Sequence, residues 1–156
     1  MSEENSQNLG NQRIKKILIA VVKSEYYDKI ISYAIILAKG SGASITAIQV
    51  LDKSTFGAIG DHFGLRVAEY EKAMRKRAEE LLTEVQQVIE EQGIKTSIEV
   101  IGHKSVARGI IDYARESGAD IIVIGTKGLR GVDKFLMGGV AISVILNAHC
   151  PVVAIR

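Results

Sequence analysis

Cysteine, proline and aromatic residues are scarce in this sequence. Its 156 residues include one cysteine, one proline and no tryptophan, and aromatic residues make up 5% of the chain. A single cysteine excludes an internal disulfide and a cysteine-based metal cluster, and it suits a reducing compartment. We therefore expect a cytoplasmic protein whose core is packed by aliphatic side chains, as in parallel α/β proteins.

Strong net charge and long apolar runs are missing as well. The formal net charge is only +2, which is too small to favour a nucleic-acid-binding surface by itself. No apolar run reaches the ~20 residues that a membrane-spanning helix needs, so we expect neither nucleic acid nor membrane as a partner. Residues 1–12 are polar and lack the apolar core of a signal peptide. We expect a disordered tail there and one domain over residues 13–156.

Short β-branched runs alternate along the chain with longer amphipathic segments. The runs predict strands over residues 15–22, 43–51, 94–101, 120–124 and 151–155. Helical spacing of apolar residues predicts helices over 25–39, 64–91, 105–117 and 138–148. The longest helix is expected to bury Met74, Ala78, Leu81, Val85 and Val88. Residues 52–63 show no clear period, so we expect a long loop there, of a kind that is usually functional or mobile.

This alternation of strands and helices predicts an α/β fold with a parallel sheet and right-handed crossovers. Glycines cluster beside its fourth strand. Gly125 ends that strand, Gly128 follows in the next loop, and Gly138 and Gly139 open the last helix. Glycines let the backbone approach an anion, and the first N–H groups of a helix lack internal partners. The arrangement favours a nucleotide, although neither G-x4-G-K-[ST] nor G-x-G-x-x-G after the first strand occurs.

The spacing of these glycines resembles the motif G-x2-G-x9-G-[ST] of the universal stress protein family. Gly125, Gly128 and Gly138 stand at its glycine positions. Asp120 to Gly125 resembles the family's strand before the loop, and Asn147 to Arg156 resembles its C-terminal signature. The resemblance covers nearly the whole chain beyond the tail. It implies a single doubly wound five-stranded parallel sheet of order 3-2-1-4-5, with helices on both faces.

The resemblance also implies a site for ATP or AMP at the carboxyl ends of strands 1 and 4, where the strand order reverses. ATP would bring Mg²⁺ or Mn²⁺ with it, and no catalytic or metal-binding residue is expected. Val22 and Val50 should flank the base, and the N–H groups around the glycines should hold the phosphates. The candidate nucleotide-binding residues are Ala20, Val21, Val22, Val50, Gly125, Lys127, Gly128, Arg130, Gly138, Gly139 and Val140.

Two departures from the family pattern weaken the expected affinity. ATP-binding members carry Ser or Thr after the third motif glycine and commonly a hydroxyl two residues on, where this chain has Gly139 and Ala141. Because a hydrogen bond to a charged acceptor contributes roughly 1.5–3 kcal/mol, two losses weaken binding by orders of magnitude. The acidic residue that contacts adenosine in binders is Val22 here. Cationic residues near the loop either compensate or are ordinary solvated charges: Lys23, His103, Lys127, Arg130 and Lys134.

Three functional hypotheses remain open at this point. The first is a stress-response module that binds adenine nucleotide weakly. The second is an interaction protein without nucleotide, with unidentified protein partners and a crevice filled by its own side chains. The third is a very slow ATPase or switch, for which the spacing favours neither Asp28 nor Asp133. We expect a homodimer through residues 151–155, since that strand would be an exposed apolar edge in a monomer.

Other residues have simpler interpretations. Ser24 is expected to cap the first helix. Cys150 is expected to be structural because it leads into a buried strand. Gly138 and Gly139 have an alternative role, which is tight packing of the last helix against the sheet. No histidine has a partner at metal-ligand spacing.

Overall fold

A parallel sheet of five strands forms the centre of the fold. The structure is a computed structural model that describes residues 10–63, 66–127 and 137–156, with the side chains of residues 59–63 excepted. The strands are β1 (Lys16–Ala20), β2 (Ser44–Asp52), β3 (Thr96–His103), β4 (Ile121–Gly125) and β5 (Val152–Ile155). Their order is β3-β2-β1-β4-β5 and every neighbouring pair is parallel. This confirms the fold class and the strand order that the resemblance implies.

Helices connect the strands and begin and end at recognisable signals. They are α1 (Tyr27–Ser41), α2 (Lys53–Phe63), α3 (Val67–Glu90), α4 (Val106–Ser117) and α5 (Gly139–Asn147). α1 ends at Gly42, which has φ +73°, and α4 ends at Gly118, which has φ +68°. Glycine adopts this left-handed conformation without steric cost and so ends a helix cleanly. α4 begins after Ser105, whose hydroxyl accepts a hydrogen bond from the N–H of Arg108.

The core consists of two layers, one on each face of the sheet. Successive side chains of a strand point to opposite faces, so Ile17 packs with α1 and α3 while Leu18 packs with α4 and α5. We refer to these as the α1/α3 face and the α4/α5 face. All four residues of Ile121–Ile124 are buried, as expected for a central parallel strand with helices on both faces. Within the described residues, no helix is long and apolar enough to cross a membrane.

The prediction that residues 52–63 form a loop was wrong, because most of this segment is the helix α2. The side chain of Asp52 begins the helix by accepting hydrogen bonds from the N–H and the hydroxyl of Ser54. Asp is a preferred residue at this position, since its carboxylate satisfies an N–H group that lacks a helical partner. These contacts, together with a depressed carboxyl pKa caused first by the Ser54 hydroxyl, identify Asp52 as the start signal.

Helix α2 is attached to the rest of the protein through Phe56. The ring is buried with Leu51 and Ala78, and it meets the ring of Tyr70 edge-on, with centroids 5.6 Å apart. Gly57 lies in the middle of the helix, where glycine lowers helix propensity by about 1 kcal/mol relative to alanine. A short helix that buries Phe56 and contains an internal glycine therefore gave no clear helical period in the sequence.

The buried stripe of α3 is rotated slightly from the predicted one. Its buried residues are Ala78, Leu82, Val85 and Ile89, whereas Val88 is 46% exposed. Leu81 and Leu82 are adjacent apolar residues, and so are Val88 and Ile89. A stripe with a period of 3.6 residues can therefore pass through either member of each pair. The packing of α3 against the sheet selects the second member of each pair.

Candidate functional site

The carboxyl ends of β1 and β4 lie side by side at the point where the strand order reverses. Ile19 of β1 pairs with Val123 of β4, so extending this register by two residues places Val21 beside Gly125. From β1 the sheet continues to β2 and β3 on one side, and from β4 it continues to β5 on the other. Ligands of doubly wound sheets bind in the crevice outside the strand ends at such a point.

The crevice has its apolar wall on the α4/α5 face. Ala20 and Val50 are partly buried and both pack against the core of that face. Ala20 pairs with Ile48, so the same register carried two residues further would set Val22 level with Val50. Val21 differs from these residues, because its side chain is buried on the α1/α3 face and its N–H donates to the carbonyl of Ile48 at 2.8 Å. The side chain of Val21 therefore does not line this wall.

Gly125 has a packing role that needs no ligand. A Cβ atom added there would lie 3.2 Å from Cδ1 of Ile30 and 3.5 Å from the carbonyl oxygen of Lys127. The distance to Ile30 is tight for a Cβ atom, whereas the one to Lys127 is an ordinary van der Waals contact, so the missing Cβ lets Ile30 of α1 approach the end of β4. The glycine serves the fold, and it also leaves the backbone accessible at the crevice.

The N-terminus of α5 lies next to the end of β4. The N–H of Gly138 donates to the carbonyl of Thr126 at 2.7 Å, and the N–H of Thr126 donates to the carbonyl of Ile155 at 2.8 Å. Gly138 is the N-cap residue of α5, and because it is a glycine it has no side chain that could cap the helix. The N–H groups of Gly139 and Val140 follow in the first helical turn, where they have no carbonyl partner within the helix. Such a terminus can bind an anion.

Gly139 does not serve tight packing. A Cβ atom added at this position would meet no heavy atom within 4 Å, and its backbone lies in a helix with negative φ. The alternative role that the sequence suggested, close approach of the last helix to the sheet, therefore does not explain this glycine. A serine at this position would fit.

Among the lysines and arginines of the glycine-rich loop that the sequence analysis considered, Lys127 is the one that lies within the described residues. It follows β4 and is only 8% exposed. Among the hydrogen bonds and ion pairs of the described residues, none involves its ammonium group. Buried charged groups in proteins are normally paired, and no described residue pairs with the ammonium group of Lys127.

His103 reaches the same edge of the sheet but is engaged with the start of α4. Its Nδ1 accepts a hydrogen bond from the N–H of Ser105 at 3.0 Å, so Nε2 carries the proton in the neutral ring. Nε2 lies 3.9 Å from a carboxylate oxygen of Asp112. Lys23, also considered as an anion ligand, lies 5.9 Å from the ring centre of Tyr27, a cation–π distance. Both side chains have contacts of their own at this edge.

Gly109, which the sequence analysis did not single out, brings α4 close to the end of β2. A Cβ atom added there would lie 2.8 Å from Cγ1 of Val50 and 3.1 Å from Cβ of His103. The signal in the sequence was a glycine in the middle of a predicted helix. Such a glycine lowers helix propensity and often has a packing reason.

The remaining candidates are placed as follows. Gly128 and Arg130, with Asp133 and Lys134, lie outside the described residues. Asp28 lies in the first turn of α1. The hydroxyl of Ser24 accepts from the N–H of Tyr26 at 3.3 Å, which places its contact in the turn before α1 rather than inside the helix.

Cys150 has the environment of a structural residue. Burial, and secondly the charge of Asp120, raise the pKa of the Cys150 thiol, so it stays protonated at neutral pH and is a poor nucleophile. In the part of the chain that the structure describes, no three His, Cys, Asp or Glu side chains are grouped so as to hold a metal ion. The described part of the site therefore offers backbone donors, a buried lysine and an apolar wall.

Comparison with known proteins assigns the chain to a family. The model of the universal stress protein family matches residues 13–156. A universal stress protein of Methanocaldococcus jannaschii is 33% identical over 147 residues, which cover 94% of this chain and 85% of the relative.

Solved structures show the same fold. A universal stress protein from Lactobacillus plantarum has a TM-score of 0.80 at 25% identity, covering 94% of this chain and all of the other. One from Archaeoglobus fulgidus, in complex with dAMP, has a TM-score of 0.62 at 22% identity, covering 92% of this chain and 98% of the other. At the lower identity the likeness concerns the fold alone.

Proposed function

The chain belongs to the universal stress protein family, and from that premise we propose that it binds an adenine nucleotide, ATP or AMP, in the crevice between β1 and β4. The observation that carries the proposal is Lys127, a buried cation without a partner among the described residues. It follows β4, whose end is joined to the N-terminus of α5 by the hydrogen bond from Gly138 to Thr126. A phosphate group would supply the missing negative charge.

The phosphate end of the site relies on the backbone. The first-turn N–H groups of α5 belong to Gly139 and Val140, and the helix dipole favours an anion there. Gly139 and Ala141 stand at the positions where a side-chain hydroxyl would add to these donors, and neither residue has one. We therefore expect the affinity to be weaker than in family members that have them.

The base end of the site relies on shape. Ala20 and Val50 present apolar surface, and the side chain of Val22 has no acceptor for the amino group of adenine. Base recognition would then come from contact area. The family member that was solved with dAMP has the same fold, which supports a nucleotide as the ligand class. Mg²⁺ or Mn²⁺ would arrive on the phosphates of ATP.

Titration of ATP with Mg²⁺ by calorimetry, after identification of any nucleotide that co-purifies, tests the proposal. Lys127→Met keeps a long apolar stem and removes the charge, so we expect it to weaken ATP binding at least about tenfold. Lys95→Met, at the opposite end of the sheet, is the matched control and should bind as the wild type does. A wild-type protein that carries no nucleotide and gives no heat up to millimolar ATP would overturn the proposal.

A second candidate function is a homodimeric interaction protein, and we propose that the dimer forms through β5. The two edges of the sheet differ. On β3, the outward carbonyls of Thr96 and Val100 accept hydrogen bonds from Gln86 at 2.9 Å and Arg75 at 3.1 Å. Two outward carbonyls of that edge are thus satisfied by side chains of α3, which makes edge-to-edge pairing there less favourable.

The β5 edge is open by comparison. The carbonyls of Pro151 and Ile155 face β4, so the N–H and C=O groups of Val152 and Ala154 face outward. The described hydrogen bonds give these outward groups no side-chain partner. A second copy of the chain could pair with them.

Exposed apolar side chains on α5 support the same edge. Leu146 is 75% exposed, and Ile142 and Ile145 are exposed to about half that extent. Soluble monomers rarely leave such apolar surface contiguous and uncovered. An interface that joins β5 edges and covers this helix surface would explain both features.

A further inference from the structure

Helix α4 makes an unusually close approach to the end of β2 at Gly109. The position for a Cβ atom at Gly109 lies 2.8 Å from one methyl carbon of Val50 and 3.4 Å from the other. Real Cβ atoms essentially never come this close, so any side chain at position 109 would force a neighbour to move. The backbone conformation does not itself require glycine, since Gly109 is not among the glycines with positive φ.

Helix α4 is fixed on the side where it would have to yield. The N–H of Ser105 donates to Nδ1 of His103 at 3.0 Å, and the hydroxyl of Ser105 caps the helix. Ile110 and Ile111 are almost fully buried in the α4/α5 face. A methyl group added at Gly109 would therefore displace Val50 more readily than the helix, and more than His103, whose Cβ would lie 3.1 Å away compared with 2.8 Å for Cγ1 of Val50.

Val50 can relieve such an overlap only by changing the wall of the crevice. Its β-branched side chain is stiff at χ1, and both of its methyl carbons already face Gly109. Rotation would turn a methyl carbon toward another neighbour, and translation would move the end of β2. Either movement changes the surface that the base of a bound nucleotide would contact.

We propose that Gly109 is a positioning residue that sets the depth of Val50 and thereby the width of the base end of the crevice. This inference rests on the proposed nucleotide site and specifies which part of the ligand the α4–β2 contact selects. The phosphate end, formed by Lys127 and the first turn of α5, belongs to other elements of the fold. A change at Gly109 should therefore affect ligands that carry a base and spare inorganic phosphates.

The test is Gly109→Ala, titrated with ATP and separately with inorganic tripolyphosphate. We expect ATP binding to weaken at least about fourfold, which corresponds to the lost burial of one methyl group against the base, while tripolyphosphate binding stays unchanged. Adding Val50→Ala to Gly109→Ala removes both methyl carbons from the overlap, so the two losses should not add and the double variant should bind ATP no more weakly than Val50→Ala does. A purely structural role for Gly109 would not separate the two ligands.

Gly40→Ala is the matched control for the glycine-to-alanine change. Gly40 lies in α1, and an added Cβ atom there meets no heavy atom within 4 Å. The Gly40→Ala variant gains the same helix propensity without an overlap, so its affinities for both ligands should equal those of the wild type. Val50→Ala alone requires no new space, so it can be measured even if Gly109→Ala does not fold. We expect Val50→Ala to weaken the binding of ATP and to leave the binding of tripolyphosphate unchanged.

The outcomes separate this inference from the proposed function. If the wild type binds ATP and Gly109→Ala binds it equally well, or if Gly109→Ala weakens both ligands alike, the positioning role is wrong and the nucleotide site stands. If Val50→Ala binds ATP as tightly as the wild type does, the positioning role of Gly109 is likewise wrong. If the wild type binds neither ligand, the nucleotide site itself is wrong and the inference falls with it.

Discussion

Replacing Gly139 by serine should tighten ATP binding. The first turn of α5 has free N–H groups but no hydroxyl at the position where nucleotide-binding relatives are expected to carry one. An added Cβ atom meets no heavy atom within 4 Å, so the serine enters without strain. One hydrogen bond to a charged phosphate contributes roughly 1.5–3 kcal/mol, which corresponds to a gain in affinity of about 10- to 150-fold.

Gly139→Ala is the control, because it adds the Cβ atom and its helix propensity without the hydroxyl. Calorimetric titrations of ATP with Mg²⁺ should be made at one fixed ionic strength, since phosphate binding is screened by salt. The reasoning predicts tighter binding by the serine variant than by both the alanine variant and the wild type. Equal affinities of the serine and alanine variants would refute the explanation by a missing hydroxyl.

The second missing hydroxyl, at Ala141, is not equivalent to the first. Ala141 is 3% exposed and packs in the core of the α4/α5 face. A hydroxyl there is buried, which costs about 1–3 kcal/mol of stability unless it finds a partner. We therefore expect Ala141→Ser to gain less ATP affinity than Gly139→Ser and to lower the melting temperature.

Three further predictions concern association and stability. Ala154→Pro removes an outward N–H group of β5 and leaves the hydrogen bonds to β4 in place. Light scattering should therefore show a monomer for this variant and a dimer for the control Ala154→Gly. A dimeric proline variant would exclude dimerisation through the β5 edge. The side-chain oxygen of Gln49 is buried without a described partner, so Gln49→Met should raise the free energy of unfolding by about 1 kcal/mol, and a loss would reveal a hidden partner. N–H groups of Lys15 and Lys16 lower the pKa of the Asp120 carboxyl. Its stabilisation is present above the unfolded pKa of about 3.9 and disappears as pH falls through the folded pKa. Asp120→Asn should therefore destabilise at pH 7 with a difference that shrinks in acid, and a difference independent of pH would contradict this.

The parts of the fold that the sequence predicts well are those that local rules determine. The run Ile121–Ile124 is apolar at every position, and the structure buries it on both faces. The helix predicted over residues 105–117 is observed as Val106–Ser117, and Gly118 ends it in the left-handed conformation that glycine favours. In each case the residue type and its immediate neighbours contain the reason for the structure.

The parts that the sequence hides depend on distant partners. Helix α2 is held by the contact of Phe56 with Ala78 of another helix, which no local period reveals. Gly109 looks like a weak point in a helix until Val50 of β2 is placed against it. The burial of Lys127 is likewise a property of the fold, because the sequence alone gives a lysine in a glycine-rich loop.

The two ends of the candidate site differ in how much sequence change they tolerate. The anion binding that we propose at α5 would use N–H groups that exist for any residue except proline, so Gly139 and Ala141 can lack hydroxyls and leave those donors in place. The apolar wall depends on side-chain shape, through the contact between Val50 and Gly109. Loss of polar side chains should therefore lower affinity without changing which ligand is bound, whereas a change at the wall should alter the preference for the base. Affinity and base preference can be measured separately, so the two ends can be tested independently in one set of variants.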